Sequence, residues 1–209
     1  MEVQYYGANC VRLSTKKANI IVDDNLASLG QKSVARAGDI VLQTTPPIDK
    51  PAADVKIVID IPGEYEVSNT SIQGVAARSH MDEEGKQSST MFKIIADEVK
   101  VVVTGHVFPE LSDSQLEALG TVDVLIIPVG GNGYTLDSVG ALKLIKKIEP
   151  KLVIPTHYAD KALKYEVPQQ SLEEAVKDLA MEIKETVPKL KIKPAELGET
   201  AQLIVLEKQ

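Results

Sequence analysis

Val122-Asp123-Val124-Leu125-Ile126-Ile127-Pro128-Val129-Gly130-Gly131-Asn132-Gly133-Tyr134-Thr135-Leu136-Asp137 is the stretch from which the fold is read. Val122–Pro128 is apolar at nearly every position. That pattern fits a strand covered on both faces, as in a parallel sheet. A glycine-rich loop ends it. Leu142, Ile145 and Ile148 then recur at helical spacing over Ser138–Ile148, and Pro150 closes the helix. Asp137 stands where a helix cap is needed. Leu152–Ile154 returns as a second strand. Gly130-Gly131-Asn132-Gly133 has the backbone freedom to cradle a phosphate, but lacks the Lys-Ser/Thr of a P-loop, so an ordinary tight loop is the expectation.

Downstream, Leu172, Ala175, Val176, Leu179, Ile183 and Val187 form one stripe, which predicts a helix over Ser171–Val187. Ser171 with Glu174 makes a capping box at its start. Lys161–Gln170 reads as a surface connection and Gln202–Leu206 as a closing strand. Upstream, Ser112–Leu119 is predicted helical, and short apolar runs read as strands at Ser71–Ala77, Met91–Ile95 and Lys100–Thr104. Residues 1–60 are predicted to be all β: Val3–Tyr6, Val11–Leu13, Asn19–Val22, Asp39–Leu42 and Val55–Ile59, separated by turn chemistry at Gly7-Ala8-Asn9, Thr15-Lys16-Lys17, Pro46-Pro47 and Pro51. Glu64 and Tyr65, after Pro62-Gly63, read as a turn, with pocket lining as the other reading. A β-rich half followed by a βαβα half predicts an α/β fold with two sheets and helices outside. Nothing marks a linker, so residues 1–209 are expected to be a single domain.

The composition narrows the function. Thirty acidic residues against twenty-three basic ones give a formal net charge of −7, and no run of Lys and Arg with interleaved aromatics stands out. Phosphate backbones repel such a chain, so no nucleic-acid partner is expected, and no polybasic membrane anchor. No apolar stretch approaches a membrane span. Cys10 is the only cysteine, so no intrachain disulfide forms, and it is expected to be a buried structural thiol. The chain starts without a basic and then apolar leader, and a cytoplasmic location is expected.

Several segments, in order along the chain, resemble the metallo-β-lactamase superfamily, in the branch that includes ascorbate-6-phosphate-lactonase-like proteins. Val3-Gln4-Tyr5-Tyr6-Gly7-Ala8-Asn9-Cys10 is similar to that branch's strand followed by Gly-His-Ser-Cys, and Ile20-Ile21-Val22-Asp23-Asp24 to its Ile-Leu-Ile-Asp-Pro strand. Pro62-Gly63-Glu64-Tyr65-Glu66-Val67 resembles a segment of one subgroup. Leu125–Gly131 and Tyr134–Asp137 resemble its Leu-Pro-Ile-Gly-Gly and Tyr-Thr-Met-Asp stretch, and Lys151–Tyr158 the Pro-x-His-Tyr end of its last metal strand. The resemblance implies a four-layer αββα sandwich.

It also implies where a metal would sit. The family's main loop is His-x-His-x-Asp-His. Here Thr45, Pro47 and Lys50 stand in place of its histidines, and only Asp49 matches. Zinc takes Cys, neutral His or carboxylate, so the usual two-metal centre is not expected. By the same resemblance, His80 falls at the family's third-motif histidine, His106 at the aspartate that bridges the metals, and His157 at the last-motif histidine. These are all the histidines of the chain. The ligand set implied is His80, His106 and His157 around one zinc ion, with Asp49 as fourth ligand or catalytic base. Asp23 matches the residue that buttresses the metal loop, and here a structural hydrogen-bonding role is expected.

Three functions follow. The first is a mononuclear metal-dependent hydrolase of a small ester, lactone or phosphate. The second is a non-catalytic binding or assembly module, such as the homo-oligomer that lactonase-like relatives often form. The third, with the least support, is metal-free chemistry using Lys50, Asp49 and His157.

Overall fold

A computed structural model describes residues 1–45, 51 and 53–209. In chain order the strands are β1 (Glu2–Gly7), β2 (Cys10–Ser14), β3 (Asn19–Val22), β4 (Ile40–Leu42), β5 (Ile57–Ile59), β6 (Gly63–Val67), β7 (Thr70–Ala77), β8 (Ser89–Ala96), β9 (Val99–Val103), β10 (Val124–Pro128), β11 (Leu152–Thr156), β12 (Ile183–Val187), β13 (Leu190–Lys191) and β14 (Gln202–Leu206). The helices are α1 (Asp113–Leu119), α2 (Ser138–Ile148) and α3 (Leu172–Leu179). Among the described residues the strands form one six-stranded sheet, β13-β1-β2-β3-β4-β5, and one eight-stranded sheet, β12-β14-β11-β10-β9-β8-β7-β6.

The expected α/β sandwich is observed. Inward side chains of both sheets meet in one apolar layer. Val3, Leu13, Ile20 and Leu42 face Phe92, Ile94, Val101, Ile126 and Ile154 there. β10 and β11, apolar except for Thr156 at the end of β11, pair in parallel and are buried at every position. Their outward residues Leu125, Ile127 and Val153 are covered by Ala141, Leu144 and Ile145 of α2 and Ala175 and Leu179 of α3. Among the described residues, the layer outside the six-stranded sheet is loop: Leu26 and Leu163 are buried against Ile21 and Val41, with Leu29, Val34 and Tyr165 beside them.

Three readings change. The Ser171–Val187 helix stops at Leu179. Ala180 takes the left-handed cap conformation, and residues 183–187 become the edge strand β12, parallel to β14. Ile183 and Val187 continue the helical stripe on paper, but β-branched Ile183, Thr186 and Val187 suit a strand, and the backbone of β14 offers a ladder. Tertiary pairing outweighs the stripe, and Ile183 ends up exposed. Glu64 and Tyr65 form part of edge strand β6, paired with β7, rather than a turn. Lys161–Gln170 is more than a surface connection, since it buries Leu163 and carries Gln169 to the site.

The Ser171–Glu174 capping box is present on both sides, with the Ser171 side chain accepting from Glu174 N and Glu174 reaching back to Ser171 N. Ser171→Ala removes this cap, and urea unfolding is expected to show a loss of about 1 kcal/mol. An unchanged midpoint would mean that packing alone holds α3.

Candidate active site

The topology gathers one set of loops. Strands β9, β10 and β11 are mutually parallel, and β7 runs the same way because two antiparallel steps separate it from β9. Their carboxyl ends therefore open at one edge, the usual ligand edge of an α/β sheet. His80 follows β7, His106 follows β9, Gly130 follows β10 and His157 follows β11. On the other sheet, the β1–β2 turn with Ala8 and Asn9, and the end of β4 with Thr44, come to the same edge.

Close contacts bind these loops together. His80 N donates to His106 O at 2.8 Å, and His157 N donates to Ala8 O at 2.8 Å. The His106 and His157 rings meet edge to face, 4.3 Å between centroids. Thr44 donates twice to Asp23, through N at 2.7 Å and Oγ1 at 2.6 Å, and accepts from Thr90 N at 2.8 Å. Asp23 thus tethers the strand end that leads into residues 46–50, the structural role the sequence suggested. Ala8, Asp23 and His157 all hold positive φ, at 48°, 50° and 54°. Non-glycine residues pay strain there, and clustering of such strain marks a site whose surroundings over-determine it. Asp49 and Lys50 lie outside the described residues.

All three imidazoles are held neutral. Burial pushes His80 down, against the opposing charge of Asp137. Burial pushes His106 well down, and His157 and His80 add to it. Burial takes His157 to about 4, although its bond to Gln169 works the other way. Neutral imidazole is the form a metal takes, and also the form a plain buried histidine takes.

The hydrogen bonds assign the ring protons. Gln169 Nε2 donates to Val167 O at 3.0 Å, which turns Oε1 toward His157 Nδ1 at 3.1 Å. His157 therefore carries its proton on Nδ1 and its lone pair on Nε2. Asn9 Nδ2 lies 3.0 Å from His106 Nε2, while Asn9 Oδ1 accepts from Thr156 Oγ1 at 2.9 Å. Among the described residues, Nδ1 of His80 and Nδ1 of His106 are buried with no hydrogen-bond partner. As the described side chains stand, they include no group of three or more His, Cys, Asp or Glu that could hold a metal ion. They do supply the right chemistry for one: three neutral imidazoles on one edge, two with a buried nitrogen unengaged.

An open cavity of about 450 Å³ lies beside Gln169, the hydrogen-bond partner of His157. Asn132, Asp137, Ser138, Gln169, Glu174 and Asp178 are among the residues that line it. Hydrogen bonds from Ser138 and Gln170 hold Asp178 below the usual carboxylate range, so its charge persists. The glycine loop above it is closed on itself, with Gly131 N donating to Leu136 O and Thr135 Oγ1 to Gly131 O. Asp137 caps α2 by accepting from Gly140 N at 2.6 Å. Both follow the sequence reading.

Comparison with known proteins places this arrangement in a family. The model of the beta-lactamase superfamily domain matches residues 2–157, a span that includes all three histidines. The chain belongs to the β-lactamase superfamily. Within the superfamily it is similar to a UPF0173 metal-dependent hydrolase of Thermococcus onnurineus, 32% identical over 101 residues, or 46% of this chain and 44% of that protein. A namesake from Carboxydothermus hydrogenoformans is 44% identical over 43 residues, 21% of this chain and 19% of that protein. The matches thus span less than half the length of these relatives. Among solved structures, a Thermotoga maritima protein assigned as a zinc-dependent hydrolase of the metallo-β-lactamase superfamily superposes with a TM-score of 0.78 at 24% identity, over 99% of this chain and 98% of that one. A metallo hydrolase of Ignicoccus hospitalis gives 0.59 at 16%, over 99% and 94%. These likenesses establish the metallo-β-lactamase fold.

Proposed function

We propose that this superfamily member is a hydrolase working with a single metal ion, zinc, held by His80, His106 and His157, with Asp49 as the base for water. The observation that carries the reading is the convergence of every histidine in the chain on one strained edge, with Nδ1 of two of them buried and unpartnered among the described residues. The relatives named as metal-dependent hydrolases support it. Three histidines with an open position is a catalytic zinc set, and such an ion lowers the pKa of bound water to about 7. The protein's own part is to keep the rings neutral, to fix His157 through Gln169 and to exclude competing anions. Asp137, Glu174 and Asp178 make the cavity on the Gln169 side of His157 acidic, which opposes the approach of a phosphate dianion from that side. The substrate class favoured is therefore a small neutral ester or lactone.

Zinc-loaded protein is expected to hydrolyse aryl esters and small lactones at least about 10-fold faster than phosphate monoesters. Asp49→Ala should lower that rate roughly 100-fold or more, as removal of a general base does. A phosphate preference, or no turnover of any class with zinc bound, would overturn the proposal. A second reading, a non-catalytic binding or assembly module, is favoured by one contact: Asn9 already occupies the Nε2 lone pair of His106. Zinc-free protein without turnover is its expected behaviour.

A further inference from the structure

We infer that Asn9 is a positioning residue that sets the tautomer of His106, and that its amide must turn over before His106 can take a metal. An amide nitrogen only donates, so the 3.0 Å contact from Asn9 Nδ2 makes His106 Nε2 the acceptor. The proton of neutral His106 then sits on Nδ1, the atom that is buried without a partner among the described residues. A metal needs a lone pair. On this ring one nitrogen is engaged and the other is protonated.

The amide orientation follows from Thr156. Its hydroxyl is buried, and Asn9 Oδ1 is the acceptor it has, at 2.9 Å. With the amide reversed, Oδ1 would accept from His106 Nε2–H, Nδ2 would donate to Thr156 Oγ1, and the Thr156 hydroxyl proton would lose that acceptor. The metal-free site is thus better satisfied with Nδ2 toward His106. A metal taken at Nδ1, the unpartnered nitrogen, would reverse the balance, because Nε2–H would then need an acceptor. Asn9 is itself buried, bonded across 97 residues to His106 and across 147 to Thr156, so it does not swing freely.

Aspartate separates the two states. A carboxylate only accepts, so Asn9→Asp takes the Thr156 hydroxyl and His106 Nε2–H together and leaves the Nδ1 lone pair available. Carboxylate–histidine pairs behind a metal change affinity by about 10- to 100-fold.

The test is long-range proton–nitrogen correlation of the labelled imidazoles in metal-free protein above pH 7, followed by zinc titration of untagged wild type and Asn9→Asp. Wild type is expected to show His106 with its proton on Nδ1, moving to Nε2 when zinc is added. Asn9→Asp is expected to show Nε2–H without metal and to bind zinc about 10-fold tighter or more. Nε2–H in metal-free wild type overturns the inference, and so does an unchanged zinc affinity in the variant. The affinity part rests on the metal reading above, whereas the wild-type spectrum needs neither metal nor variant. If neither protein binds zinc, the metal reading fails while the spectrum still decides the role of Asn9.

Discussion

Gly130→Ala is expected to unfold at a clearly lower urea concentration, with a loss of about 3 kcal/mol or more, at the upper end for added volume in a packed site. A Cβ at this position would collide with the carbonyl oxygen of His157 and with Gln169 Oε1. Neither can retreat cheaply. β10 and β11 are locked in parallel register up to the Pro128–Thr156 pair, and Val129 N donates to Thr156 O at 3.0 Å. On the other side, Gln170 N donates to Gly130 O at 2.7 Å. The methyl group therefore has to push Gln169 off His157 Nδ1, which releases the ring as well as straining the backbone. Gly133→Ala is the control. Its Cβ would meet nothing within 4 Å, although its φ is 79°. There the left-handed backbone alone costs about 1–2 kcal/mol. Equal losses at the two positions would mean that the approach of β10 to His157 is looser than described.

In metal-free protein, Asp23→Asn should make stability fall more steeply with acid. Burial raises the Asp23 carboxyl from 3.8 to about 6, even though Thr44 donates to it twice. The folded state therefore holds that proton more tightly than the unfolded chain. The stability this gives is fully present below pH ~4 and is lost as pH rises through ~6, a swing of about 3 kcal/mol at 1.36 kcal/mol per pKa unit. His157 does the opposite. Its folded pKa is about 4 against 6.5. Its contribution is present above pH ~6.5 and lost as pH falls toward ~4, again about 3 kcal/mol. His106 is depressed too and adds to the acid loss. In wild type the two trends oppose each other over the same window. Removing Asp23 leaves the histidines unopposed, and His157→Gln flattens the profile. Urea unfolding at a series of pH values between 4 and 7 reads this directly. Parallel profiles for wild type and Asp23→Asn would show that the Asp23 carboxyl is not raised.

The parts of the fold visible in sequence are those fixed by local pattern. β10, α2 and β11 follow from apolar runs and a 3.6-residue stripe, and the Ser171–Glu174 capping box rests on side chains close in sequence. The α3–β12 boundary was hidden, because Ile183 and Val187 fit the stripe and only pairing with β14, from the far end of the chain, decides for a strand. Edge strand β6 was hidden for a similar reason, since Pro62-Gly63 looks like a turn until β7 lies beside it. At the site, the resemblance brought out His80, His106 and His157. It did not bring out Asn9 or Gln169. Asn9 sits in a Gly-Ala-Asn turn and Gln169 in a polar connection, and nothing local distinguishes an amide that will orient a histidine from one that faces water. The one available signal was Asn9's place in the segment similar to Gly-His-Ser-Cys.

The central claim is that the three histidines hold one metal ion. Elemental mass spectrometry of untagged protein, as purified and after zinc addition, tests it most directly when set beside His157→Ala. About one zinc per chain is expected in wild type and none is expected to be retained by the variant. A wild-type protein that stays metal-free after zinc addition, or a variant that retains the same zinc, would contradict it.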